Sequence, residues 1–330
     1  MMLYEISILR VLCIFIVVFF HCYGMMYADA HFPDTISVYE QLYFIPNQCV
    51  FINVAMPLFV LISGYLFEFL LKNRKYSTWW NILRKKGLRI LLPYFCFGTI
   101  FMATTGNWHP LSLFDGGYWH LWFLPMLFWC FIVGYVVYKA NVKFPIETIL
   151  LLIAFCGTFM PSFMPSLFGI QFVSRWFYWF YLGMLVCEYR NAIFLYISKY
   201  KLYLPLLIAY VIVAYLFPVE YADYTWFCVL TVTWCILSII YLMNAIEWNK
   251  YRITSLLVKL SSYSFGIYIW HNWVVLMLIT KTSQRLFGLP ELAANHVILF
   301  PLCLSILTFM ISWGISWGMM KTKVGRFLIG

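Results

Sequence analysis

Long apolar runs separated by short polar turns recur along the whole of this 330-residue chain. A run of about twenty apolar residues is what an α-helix needs to cross a bilayer, and is too long for a buried strand. Read this way, the pattern predicts ten spans at about 6–26, 48–71, 88–104, 119–138, 147–162, 174–188, 203–217, 226–245, 262–280 and 296–319. The fifth and sixth are the weakest, because they are short and flank the proline- and glycine-interrupted stretch 161–169 (PSFMPSLFG). No long polar stretch, internal repeat or low-complexity segment offers a soluble domain. The expected architecture is therefore all-α: one polytopic transmembrane domain over 1–330, a bundle of about ten helices.

Composition agrees with that class. Hydrophobic residues make up 64% of the chain, charged residues 10%, and the mean hydropathy is +0.86. The net charge of +10 would suggest nucleic acid as a partner in a soluble protein, but its placement argues against that. Alternate loops are basic. Lys72, Arg74, Lys75, Arg84, Lys85, Lys86 and Arg89 fill one; Lys139 and Lys143 sit in the next; Arg190, Lys199 and Lys201, then Lys250, Arg252 and Lys259, follow. Lys321, Lys323 and Arg326 close the chain, whereas 27–47, 105–118 and 218–225 hold no Lys or Arg. Only Lys281, Arg285 and Arg175 fall on the opposite side. This positive-inside bias predicts two cytoplasmic termini and a multi-pass protein of the cytoplasmic (inner) membrane. Membrane lipids and anionic cytosolic ligands are the expected partners, and nucleic acid is not.

A signal peptide is the competing reading of the first run, with Ala28-Asp29-Ala30 imitating a cleavage site. The run is longer than a signal core and carries no positive charge before it except Arg10. The ten cysteines lack metal-ligand or redox spacing and read as small buried hydrophobes. Gly314 and Gly318 form a GxxxG in the last span, read as a packing notch.

Candidate chemistry comes from ionisable groups that a membrane cannot easily hide. Arg10 and His21 lie eleven residues apart in the first span. At about 100° per residue they point within roughly 20° of each other, roughly 16 Å apart along the helix axis. Arg10 alone fits a snorkelling anchor at the cytoplasmic end. His21 lies too deep to snorkel, so the shared face points to a joint site rather than an isolated interhelical hydrogen bond. His271 falls near the middle of the ninth span, either as a helix–helix hydrogen-bonding group or as part of the site. His120 and Trp122 lie in GGYWHLWFLPM, an aromatic belt on the outer side or the mouth of an outward-facing pocket. Arg89 ends a basic run and enters the third span directly, with Lys86 one turn before it. No hydrolase triad, phosphate-cradling glycine loop, paired-carboxylate arrangement or metal cluster is visible, so no metal is expected. Carboxylates are nearly absent from span interiors, which argues against a proton-relaying pump.

These residues also carry a resemblance. The Arg10–His21 spacing resembles the first-helix motif of the integral membrane acyltransferases of acyltransferase family 3. Residues 55–67 (AMPLFVLISGYLF) resemble its second-helix phrase. Lys86-Gly87-Leu88-Arg89 resembles its basic third-helix motif with lysine in place of the first arginine. Trp122-Phe123-Leu124 after His120, and Ser261 to His271, resemble two later phrases. The five occur in order over nearly the whole chain, and the likeness is to the stand-alone form without a fused soluble domain.

The resemblance implies an O-acyltransferase, usually an O-acetyltransferase, that takes its acyl group from cytosolic acyl-CoA, usually acetyl-CoA. It implies as acceptor a hydroxyl of a cell-envelope glycan or lipid-linked saccharide. Arg10, Arg89 and Lys86 are then the cations for the CoA phosphates. His21, helped by His271, acts as general base or is itself acylated. His120 and Trp122 are candidates for holding the acceptor. A homo-oligomer and a separate acceptor-side protein are both compatible with this reading. The rival reading is a transporter or flippase for an envelope glycan precursor, which needs cations on its route but has no evident need for an imidazole aligned with Arg10.

Overall fold

The computed structural model describes residues 4–28, 54–76, 78–106, 108–115, 117–160, 164–216, 226–283, 295–296 and 298–330. Among them helices dominate, and the one β-type pairing is an isolated bridge between Asp115 and Leu167. Five helical stretches are long and apolar enough to cross a membrane: Tyr4–Tyr23, Trp79–Thr105, Trp119–Ala140, Trp226–Ala245 and Leu299–Met320. Apolar helices of 10–17 residues add Ile146–Gly157 and Ser264–Leu278. The chain is an all-α membrane protein.

The helices are α1 (Tyr4–Ala28), α2 (Met56–Lys72), α3 (Trp79–Lys86), α4 (Leu92–Thr105), α5 (Phe123–Ala140), α6 (Ile146–Gly157) and α7 (Val173–Glu188). They continue as α8 (Arg190–Lys199), α9 (Tyr203–Leu216), α10 (Trp226–Ala245), α11 (Ile253–Ser261), α12 (Ser264–Ser283), α13 (Leu299–Met320) and α14 (Lys323–Ile329). Their ends follow local chemistry. Thr78 caps α3 by accepting from the Asn81 N–H, and Thr322 caps α14 by accepting from the Gly325 N–H at 2.9 Å. Pro93 occupies the first turn of α4, where its missing N–H costs nothing. Asn141 ends α5 in the left-handed region, φ 48°. The fifth expected span stops at Gly157, short of 162, because the chain then turns into the proline-interrupted stretch. Residues 48–53 of the second expected span, and the signal-like Ala28-Asp29-Ala30 beyond its first residue, lie outside the described residues.

The chain divides into two compact units. The first combines residues 1–56, 202–223 and 227–330 and contains α1, α11, α12, α13 and α14. Here α1 packs on α11, α12 and α13, and α12 packs on α13. The face of α13 toward its neighbours is a stripe of small hydroxyl residues, Ser305, Thr308, Ser312 and Ser316, all fully buried. Ser305 and Ser316 donate back to the carbonyls of Pro301 and Ser312, which satisfies those two hydroxyls, whereas that of Ser312 has no hydrogen-bond partner among the described residues. Cys22 of α1 donates to Thr308 at 3.6 Å, and a Cβ on Gly266 of α12 would meet Ser316 Oγ at 2.5 Å. Small residues at these crossings let the backbones approach, the main source of helix association in lipid.

The second unit combines 57–201 with 224–226. Its tightest crossing joins α2 to α7. A Cβ on Gly64 would lie 1.9 Å from the Phe180 carbonyl oxygen, and one on Gly183 would lie 2.0 Å from that of Leu61. Beside it, the rings of Phe67, Phe131 and Phe180 meet edge-on or tilted, with centroids 5.0–5.8 Å apart. The notch expected at Gly314 and Gly318 is corrected by this picture: a Cβ at either meets nothing within 4 Å among the described residues. The close approaches use Gly64 and Gly183, which lie on separate helices, so no single-helix motif announces them. Two cysteines also depart from expectation, since Cys156 and Cys303 are exposed.

Candidate active site

In the first unit α1 and α12 run side by side, and two contacts fix their register. The Arg10 guanidinium donates to Ser264 Oγ at 2.8 Å. The rings of His21 and His271 lie 4.9 Å apart between centroids, tilted by 52°. Both pairs ascend in sequence together, so the helices are parallel. Eleven residues on α1 rise roughly 16 Å while seven on α12 rise roughly 10 Å. The length of the arginine side chain takes up the difference.

Each contact has its own support. Ser264 stands at the start of α12, after the break that ends α11, and donates its hydroxyl hydrogen to the Ser261 carbonyl at 2.8 Å. Its oxygen is thereby oriented to accept from Arg10. The bond uses one of the five N–H donors of the guanidinium. His271 is fully buried, and its Nδ1 lies 2.6 Å from the Tyr268 carbonyl oxygen. A carbonyl can only accept, so Nδ1 carries the hydrogen and Nε2 of the neutral ring is the acceptor nitrogen. The same i–3 carbonyl bond holds the ring in place. His21, half-buried, also has the ring of Phe20 at 5.1 Å between centroids. Two imidazoles and a guanidinium along one seam form a site able to bind an anion at one end and move a proton at the other.

The remaining candidates lie in the second unit. Lys86 immediately precedes a single π-turn, Gly87–Leu91, between α3 and α4, and Arg89 lies within it; such turns recur at functional sites. Their environments differ sharply. The Lys86 ammonium stands 3.5 Å above the centroid of Phe131, with Phe67 and Tyr76 at 5.4 Å. Three rings share its charge. Arg89 is exposed. Burial pushes the Tyr76 phenol up, and the charge of Arg89 partly opposes it.

His120 and Trp122 belong to the 3-10 turn Trp119–Trp122 that leads into α5. His120 is buried, with Trp119 at 5.1 Å and Phe101 at 5.9 Å. Trp122 packs on Phe172 at 4.8 Å and Trp176 at 5.8 Å. The turn is held from both sides. The Tyr94 hydroxyl donates to the Leu113 carbonyl at 2.7 Å and accepts from the Tyr118 N–H at 3.1 Å. Gly117, with φ 101°, lets the chain pass Trp122, whose Cα a Cβ would meet at 2.6 Å. These residues are thus packed into an aromatic layer.

Sequence reasoning identified Arg10, His21 and His271 but assigned no role to Ser264. Its signal is present in retrospect: Ser264 precedes His271 by two helical turns, as Arg10 precedes His21 by three. Among the described residues there is no cluster of three or more His, Cys, Asp or Glu suited to a metal ion. A family profile described as an acyltransferase domain matches residues 3–317. No curated protein and no solved structure matches the chain. The profile spans nearly the whole sequence, and the chain belongs to this family, the acyltransferase family 3 whose motifs it resembles.

Proposed function

With membership of a membrane acyltransferase family as premise, we propose that the protein is an O-acyltransferase working along the α1–α12 seam. It moves an acyl group, most simply acetyl, from cytosolic acyl-CoA to a hydroxyl of an envelope glycan or lipid-linked saccharide. The observation that carries the reading is the His21–His271 ring pair, joined to Arg10–Ser264 along two parallel helices. Arg10 and Arg89 take the CoA phosphates, where guanidinium offers paired donors. Lys86, with its charge spread over three rings, sets the position of the π-turn that carries Arg89.

The chemistry balances on these groups. His21 accepts the proton of the acceptor hydroxyl as its oxygen attacks the thioester carbon. The carbon–sulfur bond breaks, and the departing sulfur takes the proton from the imidazolium to give free CoA. His271, fixed by the Tyr268 carbonyl, holds the His21 ring in place. His120 and Trp122 present the acceptor. The protein sits in the cytoplasmic membrane with ten spans and both termini in the cytoplasm. Two observations favour that topology: the alternation of basic loops, and the parallel course of α1 and α12, since a first and a ninth span must run the same way.

The test is transfer from radiolabelled acetyl-CoA in membranes holding wild type or His21→Ala at matched expression. His21→Ala is expected to lose about 10²–10⁴-fold in rate, the usual worth of a general base. Substantial transfer by His21→Ala moves the chemistry elsewhere. A wild type that neither transfers nor hydrolyses acetyl-CoA argues against the donor.

A further inference from the structure

The second unit contains a cavity of about 410 Å³ that the acyl-transfer reading does not use. Its wall is formed by the C-terminal ends of α2, α5 and α7, the link 141–145 and the first turn of α6. These are helix ends next to the basic segments 72–89, 139–146 and 189–202. The volume lies in the range of small-molecule sites, well above that of a packing defect.

The charges on the wall divide into two sets. Lys72 pairs with Glu188 at 2.6 Å, and Glu147 accepts from the Tyr189 hydroxyl. Those groups answer each other. Lys139, Lys143 and Glu68 make no ion pair among the described residues. Glu68 is only 6% exposed, an expensive place for a carboxylate that has no cation in contact. Tyr181, 2% exposed, also faces the cavity, and its buried hydroxyl has no hydrogen-bond partner among the described residues. The cavity therefore offers two ammonium groups nearer the surface and a carboxylate and a phenol deeper in. The polarity is that of a counterpart to a zwitterion, negative outside and positive inside.

The surroundings select the form of that zwitterion. From Glu147 at the cavity wall, α6 runs outward with Ile149, Leu152 and Ile153 exposed along one face, each by more than half. In a membrane that face meets acyl chains. We infer that the cavity is a phospholipid site that takes a phosphoethanolamine headgroup, with the primary ammonium on Glu68 and Tyr181, the phosphate on Lys139 and Lys143, and the acyl chains along α6. A phosphatidylglycerol headgroup has no cation for Glu68. A phosphatidylcholine headgroup has a cation without N–H donors for either deep group. The preference for a primary ammonium distinguishes the site from an ordinary basic rim, which follows anionic charge alone.

Native mass spectrometry of the full-length protein, incubated with equimolar dioleoyl phosphatidylethanolamine, phosphatidylglycerol and phosphatidylcholine, tests this. Wild type should retain phosphatidylethanolamine roughly tenfold over the other two, the worth of about one charge-assisted hydrogen bond. Glu68→Gln, nearly isosteric, should erase that preference, and Lys143→Ala should lower retention of all three. Tyr181→Phe, which removes a single hydroxyl, should reduce the preference severalfold and serves if Glu68→Gln fails to fold. Soluble glycerophosphoethanolamine at matched concentration should not displace the lipid; displacement would overturn the lipid source in favour of a free phosphate ester. Equal retention of the three lipids, preference for phosphatidylglycerol, or a preference that survives in Glu68→Gln would overturn the site. None of these readouts depends on acyl transfer.

Discussion

The candidate site residues of the two units have opposite surroundings, although the second unit also holds polar pairs such as Lys72–Glu188. Along the α1–α12 seam, polar groups meet polar groups: guanidinium to hydroxyl, imidazole to imidazole, ring N–H to carbonyl. In the second unit Lys86 and His120 are surrounded by aromatic rings. An aromatic face attracts a cation but exchanges no proton with it, so such a site holds a charge still and fixes a backbone. A seam of hydrogen-bonding groups can bind, orient and pass protons. The difference teaches that an ionisable residue within a membrane protein marks chemistry only when its neighbours can take part in chemistry.

Three changes test that contrast beyond the loss expected for His21→Ala. The largest effect should come from the packing side. Gly183→Ala sets a Cβ against the Leu61 carbonyl and is expected to cost about 3 kcal/mol, the upper end of overpacking effects. Thermal denaturation in detergent reads it, and a variant as stable as wild type would show that α2 and α7 are not locked. Next, Ser264→Ala removes the hydroxyl that orients Arg10. The KM for acyl-CoA should rise roughly tenfold with little change in kcat, as for a lost hydrogen bond to a charged group. A fall in kcat alone would place Ser264 at the chemistry instead. The smallest effect belongs to Lys86→Met, which fills the aromatic cage without charge. Stability should fall by about 1 kcal/mol and the KM for acyl-CoA should stay within about twofold. A KM raised roughly tenfold would show that Lys86 reaches the donor despite its rings.

The same contrast shows where sequence reading succeeds. Arg10 and His21 share one helix, so their alignment follows from the helical period, and the continuous α1 over Tyr4–Ala28 supplies it. The all-α membrane class follows from apolar run length, because lipid leaves the backbone few other ways to satisfy its hydrogen bonds. The starts of α4 and α6, beside Pro93 and Pro145, lie within about four residues of the expected span starts, whereas α6 ends at Gly157, well before 162. Ser264 was overlooked because its value lies in a partner 254 residues away. Glycines misled for a related reason: the visible GxxxG of α13 is idle among the described residues, while Gly64 and Gly183 come together from separate helices.

The sequence alone determined that this chain is a helical membrane protein, that Arg10 lies under His21 on one face, and that its motifs resemble those of an acyltransferase. These properties are local, since they depend on run length and on a period of 3.6 residues. Tertiary structure decided that His271 is the histidine facing His21, that Ser264 holds Arg10, and that Lys86 is sheathed in rings while Arg89 is exposed. Lipid contributes no hydrophobic drive between helices, so which faces meet is settled by close packing of small residues and by interhelical hydrogen bonds. Both depend on pairs of positions far apart in the chain, and no periodicity along a single helix encodes them.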